Sequence, residues 1–252
     1  MKTITFIGNG NMALSIAKGL KNSYKIEVVG RDLKKLDNFE NELGIKIEKV
    51  LMDKFNMNEK TLLLCVKPAN VEEVAAKMDG KARVVYSVLA GTNIQKLKQH
   101  LNPHAAVRCM PNLCASVGKS MTTLTGDEEF KDEAELLLGT IGSTLWLGSE
   151  KEVDIATALA GSGPAYLALI AEALADGAVK QGMKRSDAMA TMRGLFSGFG
   201  ELIKDIHPAL LKDAVMSPGG TTAAGYAALE EGNVRSSCID AVEKAYKRAT
   251  EL

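Results

Sequence analysis

Short apolar runs alternate with amphipathic segments along the chain up to about residue 148. Residues 61–66 and 83–88 are almost continuously apolar, which is typical of parallel strands that are buried on both faces. The alternation of such runs with helical segments predicts βαβ units in an α/β fold with an open, Rossmann-type parallel sheet. We predict strands at residues 3–8, 25–30, 61–66, 83–88, 106–111, 120–125 and 143–148, and helices at residues 11–21, 33–43, 93–101 and 128–142.

The pattern changes near Ser149, and we predict no strand from there to the end of the chain. Helical spacing of the apolar residues predicts a second, all-helical C-terminal domain. Its first long helix is expected to begin with Ser162 as cap and Pro164 in the first turn. We therefore divide the chain into residues 1–150, which hold the sheet, and residues 151–252, which hold helices alone. We predict these C-terminal helices at residues 164–182, 185–206, 207–215 and 232–252.

The first of these helices is apolar around most of its circumference between Tyr166 and Val179. Such a helix must be buried against other helices, and a small helical domain cannot easily hide it alone. We expect a homodimer or a larger homo-oligomer that associates through the C-terminal helices, since a monomer would expose unusually large apolar patches. A compact monomeric bundle is the alternative.

The composition narrows the class of protein further. The chain has 252 residues, 46% of them apolar and 25% charged, as in ordinary globular proteins. Its 31 basic and 31 acidic residues balance, and aromatic residues make up 5%, so we expect neither a nucleic-acid partner nor an anionic membrane surface. No stretch of about 20 apolar residues suggests a membrane span, and the first apolar run is too short for a signal peptide. The four cysteines form no C-x-x-C pair, which favours reduced thiols in a cytoplasmic protein.

A glycine-rich turn, Gly8-Asn9-Gly10-Asn11-Met12-Ala13, connects the first predicted strand to the first predicted helix. Gly8 allows a tight turn, Gly10 lets the backbone approach a pyrophosphate, and Ala13 allows close packing of helix on sheet. A second strand follows within about 30 residues, which is the context that a dinucleotide-binding turn requires. We therefore predict cofactor contacts from Ile7, Gly8, Asn9, Gly10, Asn11 and Met12. An ordinary strand-to-helix turn is the alternative.

The end of the second strand bears on the choice between NADPH and NADH. An acidic residue at this point binds the ribose hydroxyls of NAD, but Arg31 follows Gly30 here. A guanidinium can hold a 2'-phosphate through paired hydrogen bonds, so we predict NADPH as cofactor, with NADH possible. Asp32 is expected to cap the next helix instead.

Two loops follow later strands and are expected at the same edge of the sheet, because the ligand of an open α/β sheet lies at the carboxyl ends of its strands. These loops place five more residues near the nicotinamide, namely Val66, Lys67, Pro68, Ala90 and Gly91. Proline and glycine are also common in loops that bind nothing. Asn70 and Asn93 are expected to cap the helices that follow.

Three blocks of sequence make the prediction specific: residues 160–183, which read AGSGPAYLALIAEALADGAVKQGM, residues 107–112, which read VRCMPN, and residues 211–225, which read LKDAVMSPGGTTAAG. Together they resemble pyrroline-5-carboxylate reductases, and the resemblance extends over essentially the whole chain. It implies an NAD(P)H-dependent enzyme that reduces the C=N bond of Δ1-pyrroline-5-carboxylate to give L-proline, the last step of proline biosynthesis. It also implies a Rossmann domain followed by a helical dimerisation domain.

The same resemblance locates the substrate. It implies that Ser217, Gly219, Gly220, Thr221 and Thr222 surround the substrate carboxylate and that Thr222 is the catalytic residue, reaching the ring nitrogen. The residues themselves fit this role, because two glycines before a helix start leave backbone amides free to bind an anion. A threonine hydroxyl is not acidic near neutral pH, so Thr222 is expected to orient the imine or relay a proton that comes from water. A glycine C-cap followed by a threonine N-cap is the alternative.

This chain departs from the family at Leu113-Cys114, where many relatives have Thr-Pro, and at Val234, where they have phenylalanine.

We expect no metal site, because Pro103 interrupts the helix between His100 and His104. His207 precedes Pro208 and is expected at a helix start.

Two other functions remain open from the residues alone. A β-hydroxyacid dehydrogenase would need a Lys-x-x-Asn on a helix of the second domain, but the spacing from Lys67 to Asn70 lies in the first domain. A regulatory protein that binds a cofactor without turnover would not need a second anion site.

Overall fold

The computed structural model describes residues 1–53 and 55–251. Within these residues, eight strands form one sheet and two short strands form another. The strands are β1 (Thr3–Ile7), β2 (Lys25–Gly30), β3 (Glu48–Leu51), β4 (Phe55–Asn56), β5 (Thr61–Leu64), β6 (Met78–Asp79), β7 (Val84–Ser87), β8 (Ala105–Met110), β9 (Ser120–Gly126) and β10 (Gly142–Trp146). The helices are α1 (Asn11–Leu20), α2 (Leu33–Leu43), α3 (Val71–Ala75), α4 (Ile94–Leu101), α5 (Lys131–Leu138), α6 (Glu150–Ala156), α7 (Gly163–Lys180), α8 (Arg185–Leu202), α9 (Pro208–Val215), α10 (Thr221–Glu231) and α11 (Val234–Thr250).

The large sheet has the strand order of a Rossmann fold. Its strands lie in the order β3-β2-β1-β5-β7-β8-β9-β10, and all neighbours are parallel except β8 and β9. The order reverses at β1, which places the turn after β1 at the topological switch point where ligands bind in such sheets. The predicted fold class is therefore confirmed.

Side chains that alternate along the central strands create two cores, one on each face of the sheet. On one face, Phe6 and Val28 pack with helices α1, α2 and α5. On the other, Ile7 and Val29 pack with α3 and α4. Ala13 is fully buried between α1 and the sheet, as its place in the glycine-rich turn predicts. These two cores hold the edge at which β1, β5, β7 and β8 end.

The predicted strands and helices of the first half are present, with ends that differ by a few residues. Of the predicted caps, Asp32 accepts hydrogen bonds from the amides of Lys34 and Lys35, and Asn93 accepts one from Lys96. Asn70 occupies the N-cap position of α3, as predicted, but its side chain makes no capping bond there.

The first helix of the C-terminal half begins earlier than predicted. It starts at Glu150, where Ser149 Oγ accepts a hydrogen bond from the amide of Glu152, and passes through a π turn at Thr157–Gly161 into α7. Contrary to the prediction, Ser162 therefore does not start the helix but ends the π turn inside one long helical stretch. This stretch, Glu150–Lys180, is long and apolar enough to span a membrane, whereas the sequence analysis predicts no segment of that kind. Length and composition alone are weak evidence for a membrane span, since core helices of other proteins share them.

The chain divides into two compact units by its contacts. The first unit is Met1–Pro164 with Lys244–Leu252, and the second unit is Ala165–Glu243. The predicted boundary at residue 150 marks the start of α6 instead, and the functional division there stays a prediction. No strand occurs after β10 among the described residues, so this half is helical as expected.

Candidate active site

The turn after β1 has a backbone that requires glycine at its first position. Gly8 has φ +105°, and its amide donates to the carbonyl of Val29 at 2.9 Å. A Cβ at Gly8 would lie 3.0 Å from the carbonyl oxygen of Cys65, in a conformation that other residues rarely adopt. The glycine therefore allows β1 and β5 to approach each other at the switch point.

Gly10 has a different role, because a Cβ there would meet no protein atom within 4 Å. It precedes α1, which has no side-chain cap at its N-terminus. The open space beside Gly10 and the uncapped amides of the first turn fit a pyrophosphate, which the positive end of the helix dipole favours.

A cleft of about 230 Å³ lies at this turn and gathers six of the residues predicted to bind cofactor. The six are Gly8, Asn9, Gly10, Arg31, Val66 and Lys67. Its other lining residues were not predicted, and they are Gly30, Met52, Cys65, Asn70 and Val74. Two of these could have been predicted from their position in the sequence, because Gly30 ends β2 and Cys65 directly follows β5. Clefts in such sheets form at the carboxyl ends of the strands.

The remaining predicted cofactor residues lie outside the lining of this cleft. Ile7 is fully buried in the core, and Met12 packs against the core on the other face of the sheet. Asn11 lines an adjoining cleft of about 320 Å³ between α1 and α2. Pro68 opens a short 3-10 turn, while Ala90 and Gly91 follow β7.

Arg31 lies at the end of β2 with its side chain 60% exposed. Its Nη1 is 3.6 Å from Oε1 of Glu73, which also accepts a hydrogen bond from Lys77 at 3.0 Å. The hydrogen bond from Lys77, with Arg31 nearby, holds the pKa of Glu73 below its usual value. The carboxylate of Asp32 is used in capping α2, and Arg31 is the basic side chain next to it at this strand end.

Cys65 is a half-buried residue of the cleft wall. Burial raises the pKa of its thiol well above the usual value, and the neighbouring Cys109 adds to the shift. The thiol therefore stays protonated near neutral pH and is not a nucleophile. All four cysteines are free, as their spacing predicts.

The second anion site predicted from sequence is a tight turn before α10. Gly219 has φ +68°, and the amide of Gly220 donates to the carbonyl of Ser217 at 3.0 Å. A Cβ on Gly220 would lie 2.5 Å from Ser217 Oγ, so the turn is closed against its own first residue. The cap position of α10 is Gly220 and it has no side-chain capping bond, so the threonine N-cap of the alternative interpretation is absent.

Thr221 and Thr222 occupy the first turn of α10, and both are exposed in the single chain. The amides of this first turn have no intrahelical acceptor, and the helix dipole adds partial positive charge there. The arrangement can bind a small carboxylate through backbone N–H groups and leave a hydroxyl beside it.

The histidines considered for a metal lie elsewhere. His104 Nε2 is 3.3 Å from Oε1 of Glu59, and Cys109 is buried. His207 caps α9 by accepting from the amide of Ala209 through Nδ1, which confirms the predicted helix start. Residues 1–53 and 55–251 contain no group of three potential metal ligands.

Comparisons with known proteins agree along the whole chain. A family described as pyrroline-5-carboxylate reductase dimerisation matches residues 150–252, and one described as NADP oxidoreductase, coenzyme F420-dependent, matches residues 3–91. Pyrroline-5-carboxylate reductase of Synechocystis sp. is 41% identical in an alignment of 205 residues that covers 78% of this chain and 76% of that protein.

Two solved structures are similar over nearly their full length. The 1-pyrroline-5-carboxylate reductase from Streptococcus pyogenes gives a TM-score of 0.86 at 30% identity, covering 99% of this chain and 98% of that one. The pyrroline carboxylate reductase from Plasmodium falciparum, which has NADP bound, gives a TM-score of 0.79 at 26% identity, again covering 99% and 98%.

Proposed function

Because the chain belongs to the pyrroline-5-carboxylate reductase family, we propose that its two uncapped helix starts, at α1 and α10, hold the cofactor and the substrate of that reaction. The reaction is the reduction of Δ1-pyrroline-5-carboxylate to L-proline by hydride transfer from NAD(P)H, the last step of proline biosynthesis. The single observation that carries the assignment of the substrate site is the closed Ser217–Gly220 turn before an uncapped α10.

The cofactor assignment uses residues of the first unit. The amides that follow Gly10 bind the pyrophosphate, Arg31 binds the 2'-phosphate of NADPH, and Val66 and Lys67 line the nicotinamide side. Ile7, Asn11, Met12, Pro68, Ala90 and Gly91 remain proposed contacts that the cleft does not include. When bound, the nicotinamide supplies the hydride.

The substrate assignment uses the turn before α10. The amides of Thr221 and Thr222 neutralise the substrate carboxylate, while Ser217, Gly219 and Gly220 shape the turn around it. The hydroxyl of Thr222 orients the ring nitrogen and relays a proton from water. Positioning of this kind can lower a reaction barrier by several kcal/mol without a strong acid.

The assembly proposed here is a homodimer or a larger homo-oligomer that associates through the C-terminal helices, in the cytoplasm and without nucleic acid or membrane as partner. An apolar groove of about 520 Å³ in the second unit supports it, with Leu169, Ile170, Leu174, Leu229 and Val234 among its lining residues. Leu169 is 68% exposed in the single chain, which a second subunit would cover. Light scattering should therefore give at least twice the mass of one chain, and a monomeric mass would contradict this assembly.

Incubation with NADPH and Δ1-pyrroline-5-carboxylate tests the activity directly. We expect loss of absorbance at the nicotinamide band together with formation of proline. Oxidation of NADPH with a β-keto acid semialdehyde instead would favour the dehydrogenase, and cofactor binding without turnover of either substrate would favour a regulatory protein.

We expect the substitution Arg31→Ala to raise the KM for NADPH about tenfold while the KM for NADH changes less than about twofold, because a charge-assisted hydrogen bond contributes about 1.5–3 kcal/mol. Steady-state kinetics with both cofactors measure the difference. Arg248→Ala is the matched control, since Arg248 is an exposed arginine of the same unit that lies outside the cleft. Equal effects on both cofactors would contradict the assignment of the 2'-phosphate to Arg31.

A further inference from the structure

The long helical stretch from α6 to α7 runs through a proline. Pro164 has no backbone N–H, although in a regular α-helix residue 164 would donate to the carbonyl of Ala160. The helix nevertheless continues from Gly163 to Lys180, after the π turn at Thr157–Gly161 in which the amide of Ser162 donates to Thr157. The proline therefore removes the regular donor of the Ala160 carbonyl inside a helix that does not end.

A side chain from another part of the chain replaces that donor. Nδ2 of Asn112 donates to the carbonyl of Ala160 at 2.9 Å, and Asn112 is only 8% exposed. Its Oδ1 accepts from the amide of Cys114 at 3.0 Å, so only one orientation of the side-chain amide satisfies both partners. Both ends of the amide are used, one to cap a turn and the other to hold the helix.

The segment that Asn112 caps belongs to the cofactor edge of the first unit. Asn112 follows β8, whose carboxyl end lies at the same edge as that of β1, since the strands between them are parallel. The capped 3-10 turn, Leu113–Val117, packs against α1, the helix that begins at the glycine-rich turn. Its Ala115 is buried in the same core against which Met12 packs.

We propose that Asn112 is a positioning residue for the reduction: it supplies the donor that Pro164 lacks and so fixes the π turn against the turn that packs on α1. The first unit includes this helix as far as Pro164, three residues after the π turn, and α7 continues from there into the second unit. Loss of the bond frees the Ala160 carbonyl and lets the helix shift at this point. Small displacements of this kind reduce catalysis strongly even when they lie away from the reacting atoms.

The variant Asn112→Asp replaces the donor with an oxygen that repels the Ala160 carbonyl, while its carboxylate still accepts from the amide of Cys114. We expect its kcat with pyrroline-5-carboxylate to fall about tenfold, while the KM for NADPH changes less than about twofold. In the Pro164→Ala background the same substitution should lower kcat less than about twofold, since residue 164 then has an N–H for Ala160.

Asn56→Asp is the matched control, because Asn56 also accepts from the amide two residues later and is exposed. Thermal unfolding is also measured for the wild type, for Asn112→Asp, for Pro164→Ala and for the double variant, which together form a double-mutant cycle. An equal loss of kcat in both backgrounds, or an unchanged kcat in Asn112→Asp, would overturn the proposal.

If Asn112→Asp fails to fold, Pro164→Ala must restore folding, and a double variant that stays unfolded overturns the proposal as well. The expected change in kcat rests on the proposed function. The coupling of the two substitutions in thermal unfolding, which is the departure of their effects from additivity, does not. A wild-type protein without reductase activity would therefore refute that function and leave the Asn112–Ala160 coupling to be judged by unfolding.

Discussion

The substitution Thr222→Val is expected to lower kcat/KM for pyrroline-5-carboxylate by ~10²-fold, which corresponds to ~2.7 kcal/mol of transition-state stabilisation. Thr222 lies in the first turn of α10, beside the uncapped amides that follow the Ser217–Gly220 turn. Valine has nearly the same shape as threonine but no hydroxyl, so it removes the group that we propose as donor to the ring nitrogen while the backbone amides stay in place. Steady-state kinetics measure the effect, and the Kd for NADPH should change less than about twofold.

Thr222→Ser is the matched control, since it keeps the hydroxyl and loses only a methyl group. We expect it to retain kcat/KM within about fivefold of the wild type, because a serine in this turn has more rotamers but the same donor. Circular dichroism should give both variants the same melting temperature, as Thr222 is exposed in the single chain. Near-normal kcat/KM in Thr222→Val would remove the hydroxyl from the mechanism and leave the carboxylate site alone.

The elements that the sequence predicts well are those whose signal is local. The strand of residues 25–30 and the helix of residues 33–43 have the ends that were predicted, because a largely apolar run and an Asp32 cap mark them. The short strand β3 was missed, since its residues EKVL are half polar and only partly buried. The strands β4 and β6 have two residues each, too few for any periodicity.

The first helix of the C-terminal half shows why a local rule can fail. Proline is favoured in the first turn of a helix, so Pro164 predicts a helix start there. The structure runs through it, because the π turn and the amide of Asn112 compensate for the missing N–H. Asn112 lies 48 residues from Ala160, and no pattern around Pro164 indicates such a partner.

The candidate site, like the fold, was predictable from the sequence only where a local motif marks it. The turn from Gly8 to Gly10 follows from its motif and its position between strand and helix, and the cleft there includes Arg31. Met52 and Val74 line the same cleft from segments outside the large sheet, where the sequence carries no ligand motif. The substrate turn depended on the resemblance, because two glycines before a helix equally suit a simple C-cap.

Arg108 is a second residue whose importance depends on distant partners. It lies on β8 with its side chain 2% exposed, and it pairs with Glu150 at 3.2 Å and Asp154 at 2.6 Å, which are 42 and 46 residues away. Oε1 of Glu150 also accepts from the amide of Ile94 at 2.8 Å. The three charges therefore fix the start of α6 to the sheet and to the first turn of α4.

We expect Arg108→Met to reduce the free energy of unfolding by ~3 kcal/mol, because it leaves the partly buried carboxylates of Glu150 and Asp154, 34% and 20% exposed, without their counter-charge. The melting temperature should fall by roughly 10 °C for a chain of this size. Methionine fills the volume of the arginine stem, so the loss of stability is caused more by the missing charge than by altered packing. Thermal and urea unfolding at one fixed protein concentration measure it, since association contributes to the stability of an oligomer.

Neutral side chains at Arg108, Glu150 and Asp154 together separate the electrostatic contribution to stability from the contribution of packing. In the triple variant Arg108→Met, Glu150→Gln, Asp154→Asn, no buried charge is left without a partner, and the side-chain amide oxygen introduced by Glu150→Gln can still accept from the amide of Ile94. We expect the triple variant to lose less stability than Arg108→Met alone, because neutral replacements of buried ion pairs are often tolerated. The same change at an exposed pair, Arg248→Met, should cost less than about 1 kcal/mol. If the triple variant is as unstable as the single one, packing around β8 and not charge compensation holds α6 in place.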